Sequence, residues 1–355
     1  MNRAQKLITK LQLPENAAVL IANESNIFYV SGYRGEGLAF VSNQQNSIIT
    51  DFRYTEQAQN EAPGFSVAET TADKGPSAVV AECLRSHGIT TLYYEDDVFT
   101  VKKFAAFQRA TEGITWLPLN GIIEDLRIVK DETELAIIEQ ACKITSESFE
   151  RIIKIIKVGM TEKEIALALN FDMLKNGADD LAFSTIIAAG ANGSLPHAVP
   201  GEYRVQAGDM ITMDFGAKLA GYCADMTRTV AVGEPSKEMR KVYETVQTAQ
   251  AMAQDAVAPG KYCRDIDAIA RDYIHANGYE GRFGHGLGHS LGIDIHEEPR
   301  CNTVATAKLR VGQLMTIEPG IYLPGIGGVR IENSVVVTET GSRAITLPTR
   351  ELIIL

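Results

Sequence analysis

A nine-residue pattern occurs twice in this chain and restricts the possible fold more than any other feature. Residues 208–216 read G-D-M-I-T-M-D-F-G and residues 312–320 read G-Q-L-M-T-I-E-P-G, an offset of 104 residues. Each copy alternates like a strand and is followed by a glycine-containing connection and a second strand-like segment. Two helical segments precede each copy. We therefore predict an α+β region made of two related β-hairpin/helix units about a pseudo-two-fold axis.

One carboxylate lies on each of the four strand segments of these hairpins: Asp214, Asp225, Glu318 and Glu332. The first two are expected to lie roughly opposite each other, about a turn centred near Leu219 and Ala220. The loop between the second two is longer and leaves their register open. All four stand among apolar residues, which predicts that they are buried.

Buried carboxylates must be neutralised or coordinated. The adjacent sequence offers Arg228 and Arg330 as cations, whereas two divalent ions would balance all four charges directly. Carboxylates combined with a histidine suit Mn²⁺, Co²⁺, Fe²⁺ or Zn²⁺. A single aspartate on a strand is more often solvated than metal-bound, but the combination predicts a two-metal hydrolytic site that activates water at neutral pH.

Half of the six histidines lie in one short stretch, residues 283–299, which reads F-G-H-G-L-G-H-S-L-G-I-D-I-H-E-E-P. Neutral imidazole is a metal ligand and a proton shuttle near neutral pH. The glycines around His285 and His289 favour a loop over a helix, and no βαβ unit frames them as a dinucleotide fingerprint. His296 suits a proton donor that faces a substrate or supports the ligands. A further histidine, His197, lies in a Gly/Asn/Pro loop at residues 189–200.

The two parts of the chain differ in their predicted elements. Residues 1–122 alternate short strands and helices, which predicts a small α/β domain, and residues 123–355 form the α+β domain with the duplicated units. Predicted strands in the first domain are 17–21, 27–30, 38–41, 47–49 and 91–94, and predicted helices are 7–13, 54–60, 77–87 and 101–111. Arg34 and Arg53 are the residues here that would reach a ligand, although isolated arginines are usually surface groups.

In the second domain the capping pairs Asp131 with Glu134 and Thr161 with Glu164 predict two helix starts. The first of these helices is expected to end near Gly159 and the second near Gly177. Further predicted helices are 236–258 and 264–277, and predicted strands are 183–188, 210–215, 222–232, 313–318 and 329–338.

Composition excludes several classes of protein. With 34 basic and 45 acidic residues the net charge is −11, so we expect neither nucleic acid nor an anionic membrane as a partner. No apolar run is long enough to span a bilayer, and residues 1–10 do not read as a secretory signal. The five cysteines are odd in number and widely spaced, which argues against a disulfide framework and favours the cytoplasm.

Six segments, in this order, closely resemble motifs of the "pita-bread" metallopeptidases, and within them the Xaa-Pro peptidases (prolidase and aminopeptidase P). They are P-H-A, T-M-D-F-G, C-A-D-M-T-R-T, the histidine stretch, T-I-E-P-G-I-Y and G-G-V-R-I-E-N. The resemblance covers residues 125–355, and the first domain is similar, with less specific residues, to the creatinase/prolidase N-terminal domain.

This resemblance implies a role for each residue. Asp214 would bind one metal ion, His289 and Glu318 the other, and Asp225 and Glu332 would bridge both. Glu318 would also be the general base. Residues around these ligands would have further roles. His197 and His296 would stabilise the intermediate and assist the leaving nitrogen, and His285 would line the proline subsite. Arg330 would orient Glu332 or pair with a substrate carboxylate, and Thr227 would support the ligands.

The implied activity is hydrolysis of the bond between an N-terminal residue and proline in small peptides. Two divalent ions, Mn²⁺ or Co²⁺ before Zn²⁺ or Fe²⁺, and a homodimer are expected. The short first domain favours a dipeptidase (prolidase), with aminopeptidase P on longer peptides as the alternative. Methionine aminopeptidases lack the first domain and the R-I-E form of the last motif. Metal-free relatives such as creatinase and the binding modules lack the complete ligand set.

Overall fold

The computed structural model describes residues 2–355, which divide into one unit ending at Arg127 and a second from Ile128 to Leu355. The domain boundary predicted at 122/123 stays a prediction. None of the helices between residues 2 and 355 combines the length and apolar character that crossing a membrane requires.

The first unit is one mixed six-stranded sheet with helices, as predicted. Its strands, in the order β4-β3-β2-β1-β5-β6, are β1 (Ala17–Ile21), β2 (Leu38–Ser42), β3 (Ser47–Asp51), β4 (Ser66–Thr70), β5 (Thr91–Tyr94) and β6 (Thr115–Pro118). Its helices are α1 (Arg3–Leu11), α2 (Glu24–Ser31), α3 (Thr55–Glu61), α4 (Pro76–Ser86), α5 (Val101–Ala110) and α6 (Ile122–Arg127).

Two features of this unit differ from the sequence prediction. The strand predicted at 27–30 is wrong: this segment lies in α2, because Asn23 caps its start by accepting a hydrogen bond from the Asn26 N–H and Gly32 ends it with a φ of 88°. The unpredicted strands β4 and β6 are the two edges of the sheet. Their largely exposed side chains give little hydrophobic alternation to detect.

The second unit carries the remaining elements in two successive halves. The first half contains α7 (Glu132–Ile152), α8 (Glu162–Lys175), β7 (Asp180–Leu181), β8 (Ile186–Ala189), β9 (Met210–Phe215), β10 (Ala217–Leu219), β11 (Tyr222–Cys223) and β12 (Met226–Ala231). The second contains α9 (Lys237–Asp255), α10 (Cys263–Ala276), β13 (Gly288–Ser290), β14 (Glu297–Cys301), β15 (Leu314–Ile317), β16 (Gly320–Leu323), β17 (Gly327–Arg330), β18 (Asn333–Val337) and β19 (Ser342–Ala344). Both predicted capping boxes are confirmed, although α7 ends before Gly159.

The same backbone hydrogen bonds occur at equivalent positions within each half, which confirms the predicted duplication. Gly208 and Gly312 both adopt a left-handed conformation, with φ of 91° and 80°. The Gly208 N–H donates to the Val232 carbonyl (2.6 Å), and the Gly312 N–H donates to the Val337 carbonyl (2.9 Å). Each half therefore builds its central hairpin from the same backbone contacts.

The same correspondence extends to the helices. Before α8, the Gly159 N–H donates to the Val205 carbonyl (2.9 Å), and before α10 the Gly260 N–H donates to the Leu309 carbonyl (2.8 Å). Each helix pair packs over its own apolar core, one centred on β9 and β12 and the other on β15, β17 and β18. The carboxylate-bearing strands therefore lie on two rigid, equivalent supports.

The register of the first hairpin differs from the prediction. Asp214 pairs with Thr227, not with Asp225. The turn is centred one residue later than predicted, at Ala220 and Gly221, and both have a positive φ (47° and 86°), as two-residue hairpin turns require. Asp225 stands two residues before Thr227 along the strand direction and so lies diagonally across from Asp214, on the same side of the sheet.

Candidate metal centre

Three of the four predicted carboxylates stand where strands are interrupted. Asp225 lies between β11 and β12, Glu318 between β15 and β16, and Glu332 between β17 and β18, whereas Asp214 lies inside β9. The two glutamates follow the last β15–β18 pair, Ile317 with Asn333, so they flank the same end of that ladder. Backbone breaks at these positions turn the side chains toward one point.

Three of the four carboxylates, contributed by both hairpins, converge on one point. Ligand oxygens of Asp214, Asp225 and Glu332 all lie within 4.8 Å of one another. The Glu332 N–H donates to the Thr227 carbonyl (3.1 Å) and joins the two hairpins at this point. Asp225 and Glu332 are only 5% and 1% exposed, so water contributes little to neutralising them.

His289 completes the group. Its Nδ1 bonds the Ser290 carbonyl (3.0 Å), so the proton is on Nδ1 and the Nε2 lone pair is directed elsewhere. Nε2 lies 3.3 Å from Glu318 Oε1 and 3.6 Å from Asp225 Oδ2. Burial lowers the pKa of His289 to about 3, so the ring is neutral at neutral pH. A lone pair facing two carboxylates is the arrangement of a cation ligand.

The acid–base behaviour of the carboxylates has the same physical origin. Burial first, and then repulsion by neighbouring carboxylates, raises the pKa of both Asp225 and Glu332 well above the ordinary range. Burial raises the pKa of Glu318 to about 7, against the opposing effect of Arg330. Negative charge is therefore unfavourable here unless positive charge compensates it.

The donor set fits divalent cations. Asp214 Oδ1 and Glu332 Oε1 are buried oxygens without a hydrogen-bond partner among the described residues, and buried polar atoms are normally satisfied. Oxygen donors with one imidazole nitrogen suit first-row divalent metals. The residues present therefore match a cation site in number, type and convergence.

Supporting hydrogen bonds hold the carboxylates in place. Thr227 Oγ1 donates to Glu332 Oε2 (2.8 Å), in agreement with its predicted supporting position. Thr316 Oγ1 donates to Glu318 Oε1 (3.0 Å) and accepts a hydrogen bond from the His289 N–H (3.0 Å). Thr316 was not singled out in the sequence, although it is the shared threonine of the repeated pattern.

Arg330 was expected to orient Glu332 or to pair with a substrate carboxylate. Its Nη2 donates to Asp214 Oδ2 (2.6 Å) rather than to Glu332. Its other donors reach Thr227 Oγ1, the Tyr322 hydroxyl and the Pro196 carbonyl. Arg330 is buried and fully engaged with the protein. Arg228, the second cation considered, donates instead to backbone carbonyls, including that of Glu332.

The other three predicted histidines surround the cluster. His285 Nε2 lies 2.8 Å from the Tyr322 hydroxyl, and burial lowers its pKa to about 4. The His296 ring stands edge-on to His289, with centroids 4.5 Å apart. His197 is exposed and lies on the loop after β8. All three line a cavity of about 510 Å³ together with Asp214, Asp225, His289, Glu318 and Arg330.

Three residues in or beside the cavity were not predicted from the sequence. Arg300 and Phe183 line it, and Tyr322 links His285 to Arg330. Arg300 lies four residues after His296, and this even spacing was a detectable signal, because alternate residues of an extended segment share a face. Within the first unit, Arg34 stacks over Phe28 (4.8 Å), and Arg53 pairs with Asp51 (2.8 Å).

An acidic cage with one imidazole, inside a cavity lined by further histidines, defines a metal-dependent hydrolase. The chain belongs to metallopeptidase family M24, whose model matches residues 136–339, and the creatinase/prolidase N-terminal domain matches residues 3–129. The family and fold predictions are confirmed, and the chain is a metallopeptidase that binds divalent metal.

Related proteins are similar to this chain over nearly its full length. A Xaa-Pro dipeptidase of Pyrococcus horikoshii is 35% identical over 353 residues, 99% of this chain and 98% of its own. The structure of a Xaa-Pro dipeptidase from Bacillus anthracis has a TM-score of 0.95 at 38% identity, over 99% of this chain and 100% of that one. The X-Pro aminopeptidase of Thermotoga maritima has a TM-score of 0.92 at 35% identity, over 100% of both chains.

Proposed function

We propose that this protein is a Xaa-Pro dipeptidase that uses two divalent metal ions. The observation that carries the proposal is the convergence of buried carboxylates with one neutral imidazole at the base of a histidine-lined cavity. In this proposal Asp214 would hold one ion, His289 and Glu318 would hold the other, and Asp225 and Glu332 would be shared between the two. When bound, the ions supply Lewis acidity and activate water at neutral pH.

Glu318 is proposed as the general base. Burial raises the pKa of Glu318 to about 7 in the metal-free protein, and divalent ions beside it would lower that pKa, so that the carboxylate is ionised and able to accept a proton. Thr316 fixes the Oε1 atom by donating to it (3.0 Å). Glu318 would take a proton from the attacking water and hold it for delivery toward the leaving nitrogen.

His296 and His197 are proposed to stabilise the reacting carbonyl oxygen. Burial lowers the pKa of His296, so its ring is neutral and can donate one N–H to a developing oxyanion. His197 lies at the exposed side of the same cavity, where it can reach the leaving nitrogen. His285 would face the proline ring, held by Tyr322.

The chemistry of the X-Pro bond explains why its hydrolysis requires a specialised site. An X-Pro bond has no N–H and a fixed φ, so peptidases that bind the backbone N–H of that residue fail. A cavity that binds the ring, the carbonyl and the free amine avoids this requirement.

Arg300 favours the dipeptide. The arginines that line the cavity are Arg300 and Arg330, and Arg330 is committed to Asp214, Thr227, Tyr322 and the Pro196 carbonyl. Arg300 contacts Glu298 only at 3.8 Å and remains about half exposed (45%). A guanidinium at this position suits the C-terminal carboxylate of a dipeptide, which a longer peptide lacks beside proline.

An assay on two substrates tests this proposal. The purified protein is loaded with Mn²⁺ or Co²⁺ and tested on Ala-Pro and on Ala-Pro-Ala. Cleavage of Ala-Pro alone is expected. Efficient cleavage of Ala-Pro-Ala would instead establish the alternative, an aminopeptidase of the kind named for the Thermotoga maritima relative. Cleavage of neither, by protein without bound metal, would refute the peptidase proposal.

A variant separates the carboxylate role from general damage. Arg300→Gln is expected to lower kcat/KM on Ala-Pro by about 10- to 100-fold, since charge-assisted hydrogen bonds contribute about 1.5–3 kcal/mol. Cleavage of Ala-Pro amide, which lacks the carboxylate, should change little. Arg310→Gln, an exposed arginine that does not line the cavity, is the control.

Metal identity and assembly belong to the same proposal. Elemental analysis should give about two ions per chain, and Mn²⁺ or Co²⁺ should restore metal-free protein better than Zn²⁺ or Fe²⁺. The homodimer and the cytoplasmic location expected from the sequence stay predictions, which light scattering and cell fractionation would check.

A further inference from the structure

One buried carboxylate outside the metal centre holds the loop that carries His197. We define this His197 loop as residues 189–201, between the end of β8 and the segment that returns to α8. Glu162, the first residue of α8, is 1% exposed. Its Oε1 accepts from the Ala189 N–H (2.8 Å) and Asn192 Nδ2 (3.0 Å), and its Oε2 accepts from the Gly201 N–H (3.0 Å).

We propose that Glu162 is a positioning residue that fixes the shape of the His197 loop. The proposal rests on the proposed function, because it requires His197 to act in the reaction. Both ends of the loop and one residue within it donate to a single carboxylate. Hydrogen bonds to a charged acceptor are about twice as strong as neutral ones, so one side chain closes the loop from start to end.

The support of Glu162 is itself rigid. Its N–H donates to the Tyr203 carbonyl (3.2 Å), and the next N–H, of Lys163, donates to the Gly201 carbonyl (3.1 Å). Side chain and backbone of one helix turn therefore bind the same short segment. The cost of burying this carboxylate is offset by these donors and by the N-terminus of α8, and the donors are the part that ties the loop to the helix.

The loop connects Glu162 to the metal centre as well as to His197. A Cβ added at Gly193 would lie 2.9 Å from the Gly328 nitrogen, so the loop packs directly against β17. The Pro196 carbonyl accepts from Arg330 Nη1 (3.2 Å), and Arg330 Nη2 donates to Asp214 (2.6 Å). Loosening the loop would thus displace His197 and one partner of the Arg330–Asp214 pair.

Glu162→Gln is the informative substitution, since it preserves shape and removes only an acceptor. If the amide oxygen keeps the bonds to Ala189 and Asn192, the new NH₂ group faces the Gly201 N–H, donor against donor. The loop loses its attachment at residue 201. Glu164→Gln is the matched control: Glu164 lies on the same helix turn and accepts from the Thr161 N–H (2.7 Å) in the capping box, whereas the contacts to residues 189–201 are made by Glu162.

Amide hydrogen exchange of the metal-free protein is the first readout and needs no activity. Glu162→Gln should speed exchange in residues 189–201 by about tenfold or more, as loss of a charge-assisted hydrogen bond implies. The His197 ring signal in the NMR spectrum, assigned with His197→Ala, should shift in the same variant. Glu164→Gln should leave both unchanged.

Kinetics supply the second readout. In the metal-loaded enzyme, Glu162→Gln should lower kcat by about 10- to 100-fold, because small displacements of catalytic groups cost this much, with KM changed by less than about twofold. In a His197→Ala background the same substitution should lower kcat much less, because two residues that act through one another are not additive. A merely structural role would give equal losses in both backgrounds.

Each outcome decides the proposal. Unchanged exchange in residues 189–201, equal kcat losses in the two backgrounds, or the same effects from Glu164→Gln would overturn it. If the wild-type protein cleaves no Xaa-Pro substrate, the proposed function fails, and the exchange and NMR results still show whether Glu162 holds the loop.

Discussion

The two halves of the second unit share a backbone plan but hold their active-site loops by different means. Glu162 and Cys263 occupy equivalent positions at the first residue of α8 and α10, and their N–H groups donate to the Tyr203 and Ala307 carbonyls. In the first half, the Glu162 side chain binds the loop that carries His197. In the second half, Cys263 bonds through its carbonyl to the Cys301 thiol (2.9 Å).

The histidine loop of the second half is held by an ion pair instead, and its lysine, Lys130, precedes α7 and so comes from outside that half. Lys130 Nζ donates to Glu297 Oε2 (2.9 Å) and Ser290 Oγ (3.2 Å), at the two ends of the loop between His289 and His296. This contrast indicates that backbone hydrogen bonds maintain the fold common to the two halves, whereas side chains at equivalent positions have different roles. Four predictions test this separation.

The largest effect is expected where equivalent carboxylates have different roles. Asp214 and Glu318 match in the repeated pattern, but only Glu318 is the proposed base. Glu318→Gln should lower kcat by about 10²- to 10⁴-fold, the usual contribution of general base catalysis. Asp214→Asn should weaken metal binding, so that raising Mn²⁺ recovers part of its activity.

Steady-state kinetics over a range of Mn²⁺ concentrations, with the metal content measured in parallel, distinguish the two variants. Equal recovery of Glu318→Gln and Asp214→Asn at high Mn²⁺ would show that both residues are ligands only, and the assignment of the base would be wrong.

The second prediction concerns the ion pair of the second half. The side chains of Lys130 and Glu297 are 1% and 7% exposed. Lys130→Met would remove the cation that compensates the buried Glu297 carboxylate, and breaking a buried ion pair in this way typically costs about 3–5 kcal/mol of unfolding free energy. Urea unfolding followed by circular dichroism measures this, and the double variant with Glu297→Gln should recover part of the loss.

Lys163→Met provides the control from the first half. Lys163 faces Glu202 at 3.9 Å with both side chains exposed, and such pairs contribute about 0–1 kcal/mol. A similar small loss in Lys130→Met would mean that the ion pair does not hold the loop.

The third prediction compares the shared threonines of the repeat. Thr316 donates to Glu318 and accepts from the His289 N–H, whereas Thr212 contacts Thr229 Oγ1 (3.0 Å) and no proposed ligand. Thr316→Val should lower metal affinity or kcat/KM by about 10- to 100-fold, as loss of a group that orients metal ligands does. Thr212→Val should lower stability slightly and leave kcat/KM near that of wild type.

Metal titration and kinetics of the two variants measure this contrast. If both threonine substitutions reduced activity alike, the hydrogen bonds of Thr316 would not be the cause, and the halves would be more symmetrical in function than in their contacts.

The same separation explains what the sequence predicted and what it did not. The repeated nine-residue pattern predicted the duplicated hairpins and the convergence of their carboxylates, because both follow from the backbone pattern and from strand alternation. It placed the first turn one residue too early, since the left-handed conformation of Ala220 is not a feature that alanine favours. The sequence also predicted one unbroken strand through Asp225 and another through Glu332. Both strands are interrupted at the carboxylate, and such an interruption leaves the hydrophobic alternation nearly intact.

Several of the residues that were not predicted act through long-range contacts. Glu162 reads as the first residue of a capped helix, and its partners lie 27 to 39 residues away along the chain. Lys130 and Glu297 are separated by 167 residues. Arg330 was expected to orient Glu332, two residues away, or to pair with a substrate carboxylate, and it bonds Asp214 on the other hairpin. No local pattern contains such pairings, so only the folded arrangement of both halves reveals them.

The smallest effect is expected at the turn before each central strand. Asp209 Oδ2 accepts from the Gln206 N–H (2.8 Å), and Gln313 Oε1 accepts from the Arg310 N–H (2.9 Å). A neutral amide thus makes in the second half the bond that a carboxylate makes in the first. Asp209→Asn keeps an acceptor oxygen and should cost no more than about 1 kcal/mol of unfolding free energy, the difference between charged and neutral hydrogen bonds.

Asp209→Ala removes the acceptor altogether, including the bond from the Tyr203 hydroxyl (3.0 Å), and should cost clearly more in the same urea titration. An Asp209→Asn variant as unstable as Asp209→Ala would show that the charge itself is required. The turns would then be equivalent in shape but not in energetics, and the shared backbone plan would depend on side-chain chemistry even at the positions where the two halves look most alike.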